Sequence, residues 1–172
     1  MVFMGRGIRQ PGGGWSIDSD VYFADQGGSS EHEISKLVPA STGAHFGWPY
    51  FEGTVQKQSG GPAGMIAPEL VYPIGNGIKE GTGIVMGALY LGANASLSNK
   101  LVYGDRGGRI WSSPLARFRN LTVDRADAIE NRTVDFQPDV GTIGAVIEIV
   151  KDGAGTLYIL DAKGDLFRVE VS

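Results

Sequence analysis

The chain has 172 residues, enough for one domain with its own core, and glycine fills 27 of them, more than twice the usual ~7%. Its net charge of −4, with 15 scattered basic residues, gives no footprint for phosphate backbones or anionic lipid and argues against nucleic acid as a partner. No apolar run nears the ~20 residues of a membrane span, no charged-then-apolar leader opens the chain, and the lack of cysteine excludes disulfides and thiolate metal sites.

The elements fall into a repeated phrase. After Gly7-Ile8-Arg9-Gln10-Pro11 comes an apolar segment at 14–17 and a turn at 18–20, then an apolar and aromatic run at 21–24 that ends at Asp25. Gly28 follows three residues later, and a further strand pattern covers 33–38. Residues 41–80 are rich in Gly and Pro, carry Gly47-Trp48-Pro49-Tyr50-Phe51-Glu52-Gly53, and read as an inserted loop. The phrase returns with apolar residues at 83–90, a turn at 97–100, a run at 101–104 ending at Asp105, Gly108, and a strand pattern at 109–112. Helical periodicity is confined to a short turn within 125–132. The third copy has apolar residues at 145–150, a turn at 152–155, a run at 157–160 ending at Asp161, Gly164, and a strand pattern at 165–169.

In each copy Asp can hydrogen-bond a turning backbone and Gly can take positive φ, so each is a hairpin with a mechanism. Antiparallel repeats of this kind write β-propeller blades. The expectation is an all-β chain, a partial six-bladed β-propeller of about three four-stranded antiparallel blades, in one domain over 1–172. The blades fall near 5–40, 81–138 and 141–172, with the loop at 41–80 between the first two. An irregular β-sandwich is the competing reading. Three blades leave a ring open, so a missing N-terminal half or self-association is expected to close it.

Few residues carry chemistry. His32 and His45 pair in sequence with no nucleophile and read as structural. Glu31 and Glu33 would share one face of a strand and suit either a hard cation or a solvated edge. Arg9, Gln10 and Pro11 place planar donors at a rigid loop end, and Arg106 follows Asp105 in the second turn; two arginines at one end would suit a polycarboxylate. Sequons at Asn94, Asn120 and Asn131 are read as chance.

These pieces, in this order and spacing, resemble the soluble sugar dehydrogenases dependent on pyrroloquinoline quinone (PQQ), the glucose/sorbosone dehydrogenase family. Arg9-Gln10-Pro11 is similar to its Arg-Asn-Pro, Asp25-Gln26-Gly27 to its Gln-Gly after a strand, Glu33-Ile34 to its Glu-Ile, and Gly43-Ala44-His45-Phe46-Gly47-Trp48-Pro49 to its Gly-Asn-Tyr-Gly-Trp-Pro loop. The resemblance implies the later half of a six-bladed, periplasmic or secreted oxidoreductase that oxidises a sugar hydroxyl and passes electrons to the quinone beside Ca²⁺. It implies that Arg9, Gln10, Gln26 and Arg106 contact the cofactor and that the carbonyls of Gly27 and Gly28 hold the calcium. The family's general-base His has no counterpart here, so this chain alone is expected to be inactive. Thr142 and Gly144 stand where the family has two arginines. The alternative function is a non-catalytic propeller that presents its loops to a protein or carbohydrate, with Trp48, Tyr50 and Phe51 either stacking on sugar rings or plugging a gap between blades.

Overall fold

The computed structural model describes residues 1–40, 42–119 and 125–170; the sequon at Asn120 lies outside them. In chain order the strands are β1 Gly5–Arg6, β2 Pro11–Ile17, β3 Asp20–Asp25, β4 Glu31–Leu37, β5 Ala44–His45, β6 Phe51–Glu52, β7 Val55–Gln56, β8 Leu70–Pro73, β9 Ile84–Tyr90, β10 Lys100–Asp105, β11 Ile110–Pro114, β12 Glu130–Asn131, β13 Val146–Lys151, β14 Leu157–Asp161 and β15 Leu166–Arg168. The helical segments among the described residues are short 3-10 turns, and Ala126–Ala128 occupies the region where a helical turn was expected. The chain is therefore all-β, as the alternating apolar runs predict.

Three antiparallel sheets dominate, in the orders β2-β3-β4-β8, β9-β10-β11-β12 and β13-β14-β15. Each repeated phrase supplies the first three strands of one sheet. Two corrections follow. The fourth strand of the first sheet, β8, comes from within the segment expected to be an inserted loop at 41–80, where Leu70 pairs with Ile34 and Tyr72 with His32. The third sheet has three strands among the described residues rather than four.

The sheets stack through two cores. Tyr22, Ala24, Ile34, Leu70 and Tyr72 of the first sheet meet Ile84, Leu101, Tyr103 and Trp111 of the second. Val85, Ala88, Val102 and Ile110 of the second meet Val146, Ile149, Leu157 and Ile159 of the third. Strand alternation makes this possible, because successive side chains on the second sheet go to opposite neighbours. Burying each large side chain adds about 1.5–3 kcal/mol over leaving it exposed. Close stacking also explains Gly104: a Cβ there would come within 2.6 Å of Val146 Cγ1.

The remaining part of 41–80 folds back over the first sheet. Strand β5 pairs in parallel with β1, β6 and β7 form a two-stranded hairpin, and Phe46 packs edge-on against Phe23 with ring centroids 4.8 Å apart.

Candidate functional site

The three aspartates that end the apolar runs are all buried, and each does more than close its own turn. Asp25 accepts the backbone N–H of Arg9 (2.7 Å) and of Gln10. Asp105 accepts those of Thr82 and Gly83 (3.0 and 3.1 Å), and Asp161 accepts that of Gly144 (2.9 Å). Each carboxylate thus ties the loop leading into the first strand of its sheet to the turn after the second. The expected local role is present too: Gly107 donates to Asp105, and Lys163 and Asp165 donate to Asp161. In consequence all lead-in loops and these turns lie at one end of their sheets.

At that end the sequence-derived site residues have the following surroundings. Arg9 Nη1 donates to the Gln26 carbonyl at 3.1 Å, and its guanidinium lies 5.4 Å from the centre of the Trp48 ring, a cation–π arrangement. The same guanidinium covers Gly28, where a Cβ would come within 2.8 Å of Nη2. Gln10 is exposed, and its carbonyl accepts the N–H of Gln26 at 2.9 Å. The Gln26 side chain is buried and donates to the Ile84 carbonyl of the second sheet at 3.2 Å. Arg106 is exposed, its N–H bonding the Gly83 carbonyl at 2.8 Å and its side chain lying across Gly83. Arg9, Gln10, Gln26, Gly27 and Gly28 are therefore one cluster, joined to Arg106 through the adjacent residues Gly83 and Ile84. Thr142 is exposed at the corresponding loop of the third sheet, next to the Asp161 clamp on Gly144.

Gly27 is held from behind. Its N–H donates to His32 Nδ1 at 3.1 Å, while His32 Nε2 lies 3.3 Å from the Gly81 carbonyl. An acceptor role at Nδ1 places the proton on Nε2, which can then donate. Burial lowers the His32 pKa, so the ring is neutral in this role. His45, by contrast, is half-buried in the loop over the first sheet, where its Nδ1 accepts the Gly47 N–H at 3.2 Å.

Glu31 and Glu33 do share a face, and both are buried there with partners from distant parts of the chain. Glu33 Oε2 accepts the N–H of Gly53 at 2.7 Å. Glu31 Oε2 accepts the N–H and hydroxyl of Thr54 (2.7 and 2.8 Å), and its Oε1 pairs with Arg125 at 2.7 Å. Together they pin the β6–β7 hairpin to β4. From that hairpin Glu52 reaches back to accept the N–H groups of Ser29 (2.7 Å) and Ser30, beside Gly28. Among the described residues no group of three or more His, Asp or Glu side chains is arranged to hold a metal ion.

The carboxylates of Asp25, Glu31, Glu33 and Glu52 surround a cavity of about 10 Å³ beside Arg9, room for about one water molecule. Glu33 stands opposite Asp25 in the β3–β4 register. Burial, and then the neighbouring Asp25, push its pKa up to about 8, and burial also raises that of Asp25. Glu52 is buried as well, yet the Ser29 and Ser30 N–H groups and Lys57 bring its pKa below the usual carboxylate value. Burial and the facing Asp25 thus favour the protonated form of Glu33, whereas Glu52 is held toward its charged form. Glu52 and Arg125 were the members that sequence reading missed; each joins from a distant segment, with no local pattern to announce it.

On the other side of Trp48, an open cleft of about 490 Å³ is lined by Arg6, His45, Trp48, Pro49, Tyr50 and Pro62. Trp48 thus borders both the Arg9 cluster and this cleft.

The fold is that of the glucose and aldose sugar dehydrogenases. The chain superposes on a glucose dehydrogenase with a TM-score of 0.68 at 17% identity, covering 98% of this chain and 47% of that one. It matches the PQQ-bound aldose sugar dehydrogenase of Streptomyces coelicolor with a TM-score of 0.58 at 19% identity, over 94% of this chain and 41% of that one. The apo form of the soluble aldose sugar dehydrogenase of Escherichia coli gives 0.63 at 15% identity, over 96% and 45%. The chain spans less than half the length of each. No protein-family model and no curated protein sequence matches it. No helix among the described residues is long and apolar enough to cross a membrane.

Proposed function

We propose that the chain forms the C-terminal part, about three blades, of a six-bladed propeller of the quinone-dependent sugar dehydrogenase type, acting on a sugar in the periplasm or outside the cell. The blade limits are those expected from sequence, near 5–40, 81–138 and 141–172, with β8 joining the first. One observation carries the reading: Gln26 bonds the Ile84 carbonyl and Arg106 bonds the adjacent Gly83, so donors from two sheets meet at one end.

These donors fit an anionic quinone. Arg9 and Arg106 each lie over a glycine, Gly28 and Gly83, that leaves room for the guanidinium arm. Gln10 and Arg106 are exposed and free to face a ligand. Arg9, Gln10, Gln26 and Arg106 would hold the quinone, and the carbonyls of Gly27 and Gly28 would hold Ca²⁺, a cation that prefers oxygen ligands. When bound, the quinone would accept two electrons from the sugar, with calcium polarising its carbonyl. Thr142 and Gly144 offer no cation on the far side, so binding should be weaker than an arginine pair there would give.

The chain itself supplies the anion contacts and positions Gly27 through His32. A general base is not among them, since His32 is committed to the Gly27 and Gly81 backbone. The test is reconstitution with Ca²⁺ and PQQ, followed by dye reduction with aldoses. The chain should bind the quinone without turning over sugar; failure to bind would overturn the proposal.

One observation favours a second reading, a binding module. Trp48 and Tyr50 border an open cleft rather than a closed gap, a surface on which a carbohydrate ring or a protein loop would pack. Retention on an immobilised sugar, lost in Tyr50→Ala, would support it.

A further inference from the structure

We infer that the open cleft beyond Trp48 is a site for an acidic sugar, a pyranose ring that carries a carboxylate, with Arg6 holding the carboxylate and Trp48 and Tyr50 packing on the ring. The inference rests on the binding-module reading above, whose ligand it names, and not on the quinone.

Charge divides the two sides of Trp48. The small cavity on the Arg9 side is lined by four carboxylates, those of Asp25, Glu31, Glu33 and Glu52. The cleft on the other side, of about 490 Å³, has no carboxylate in its lining, although the chain carries a net charge of −4. Its basic groups are Arg6 and His45. Parallel pairing of β1 with β5 makes these two direct partners, and paired residues of adjacent strands project to the same face. Arg6 is exposed, and no described residue forms an ion pair with it, whereas Arg125, Arg132 and Arg168 each hold a carboxylate. His45 Nδ1 accepts the Gly47 N–H at 3.2 Å, which places the ring proton on Nε2 as a donor. A guanidinium beside an N–H donor, with no acid between them, selects an anionic group.

The aromatic walls are fixed before a ligand arrives. The Trp48 N–H bonds the Gly7 carbonyl at 2.9 Å, and the Tyr50 N–H bonds the Gly47 carbonyl at 2.8 Å. The Tyr50 ring lies 5.9 Å from that of His45 and is backed by Gly61, where a Cβ would come within 2.9 Å of Tyr50 Cγ. Walls held in this way lose little freedom on binding, and aromatic side chains offer the apolar face of a sugar ring a large surface. The volume falls within the ~300–1,000 Å³ of small-ligand sites. The opening to solvent favours a sugar over an apolar aromatic acid, because outer hydroxyls stay hydrated in an open cleft while an apolar ring gains most from full enclosure.

The experiment is a titration of the nitrogen-15-labelled 172-residue chain with galacturonate, galactose and benzoate in turn, followed through amide and indole NMR shifts. Galacturonate should move the signals of residues 45–50 and 60–61, bind about tenfold more tightly than galactose, and weaken as added salt screens the charge. Benzoate should bind less tightly than galacturonate. Arg6→Gln, at an exposed position, should cut galacturonate affinity about tenfold and leave galactose affinity unchanged, and Tyr50→Ala should weaken both sugars. Equal affinities for the two sugars, galacturonate binding indifferent to Arg6→Gln, or shifts confined to other parts of the chain would each overturn the inference while leaving the binding-module reading to its own test. Tighter binding of benzoate would assign the cleft to aromatic acids and overturn it as well. Binding of neither sugar would overturn the inference and that reading together. Quinone binding is read independently, since Arg9 and Arg106 do not line the cleft.

Discussion

The phenol of Tyr72, on the fourth strand of the first sheet, donates to Asp105 Oδ2 on the second strand of the next sheet at 2.9 Å. Burial, and then the Asp105 charge, raise the Tyr72 pKa, which keeps it a donor at any working pH. Asp105 is thereby the pin between two sheets as well as the clamp on Thr82 and Gly83. Tyr72→Phe should cost about 1.5–3 kcal/mol, as expected for a hydrogen bond to a charged group. Asp105→Ala should cost more, because it orphans the tyrosine hydroxyl and several N–H groups together. Urea unfolding reads both, and equal midpoints for wild type and Tyr72→Phe would contradict the role given to the pair.

His32 fixes the Gly27 turn through two backbone groups. His32→Leu should lose roughly 1–3 kcal/mol by leaving the Gly27 N–H and the Gly81 carbonyl without partners. The pH dependence follows from the lowered pKa of the buried ring. A depressed folded-state pKa gives stability that is complete above the ordinary histidine value, near 6.5, and fades as pH falls below it. Thermal melts from pH 7.5 down to 5 should show this loss in the wild type and much less of it in the variant.

Glu33 has the opposite sign. Its folded-state pKa, about 8 against an ordinary 4.5, means that the native state keeps a proton that the unfolded chain releases. Taken alone, the group lowers unfolding free energy by about 1.4 kcal/mol per pH unit between those two values. Glu33→Gln keeps an acceptor for Gly53 and removes the titration. It should be more stable than wild type at pH 8 and show a flatter profile from pH 5 to 8. Parallel profiles for the two proteins would mean that Glu33 is ionised in the fold.

The architecture was readable because it repeats. Three Asp-to-Gly turns and the period-two runs ahead of them fixed three hairpins, and the structure places a sheet on each. Strand β8 escaped because Leu70–Pro73 is a four-residue apolar stretch inside a Gly- and Pro-rich region, with no turn phrase of its own; only pairing with Glu31–Ile34 makes it a strand. The aspartates were read as turn formers, whereas their larger task is to bind N–H groups some 15 to 23 residues upstream. Spacing of that length varies between copies, so local pattern does not reveal it. Glu31 and Glu33 were correctly placed on one face, but their partners lie on the 53–54 turn and at Arg125, contacts created by folding rather than by sequence proximity. Arg9, Gln10 and Gln26 were visible as a group only through the resemblance, and Asp25 gives the physical reason for their proximity.

The central claim is that Arg9 and Arg106 form the cationic rim of a quinone site. An equilibrium titration of PQQ into the protein in the presence of Ca²⁺, followed by the quinone absorbance, measures it directly. Wild type should bind, and Arg9→Ala and Arg106→Ala should each weaken binding about tenfold or more, the loss of a charge-assisted hydrogen bond worth roughly 1.5–3 kcal/mol. Absence of binding by the wild type, or an affinity unchanged in both variants, would contradict the account.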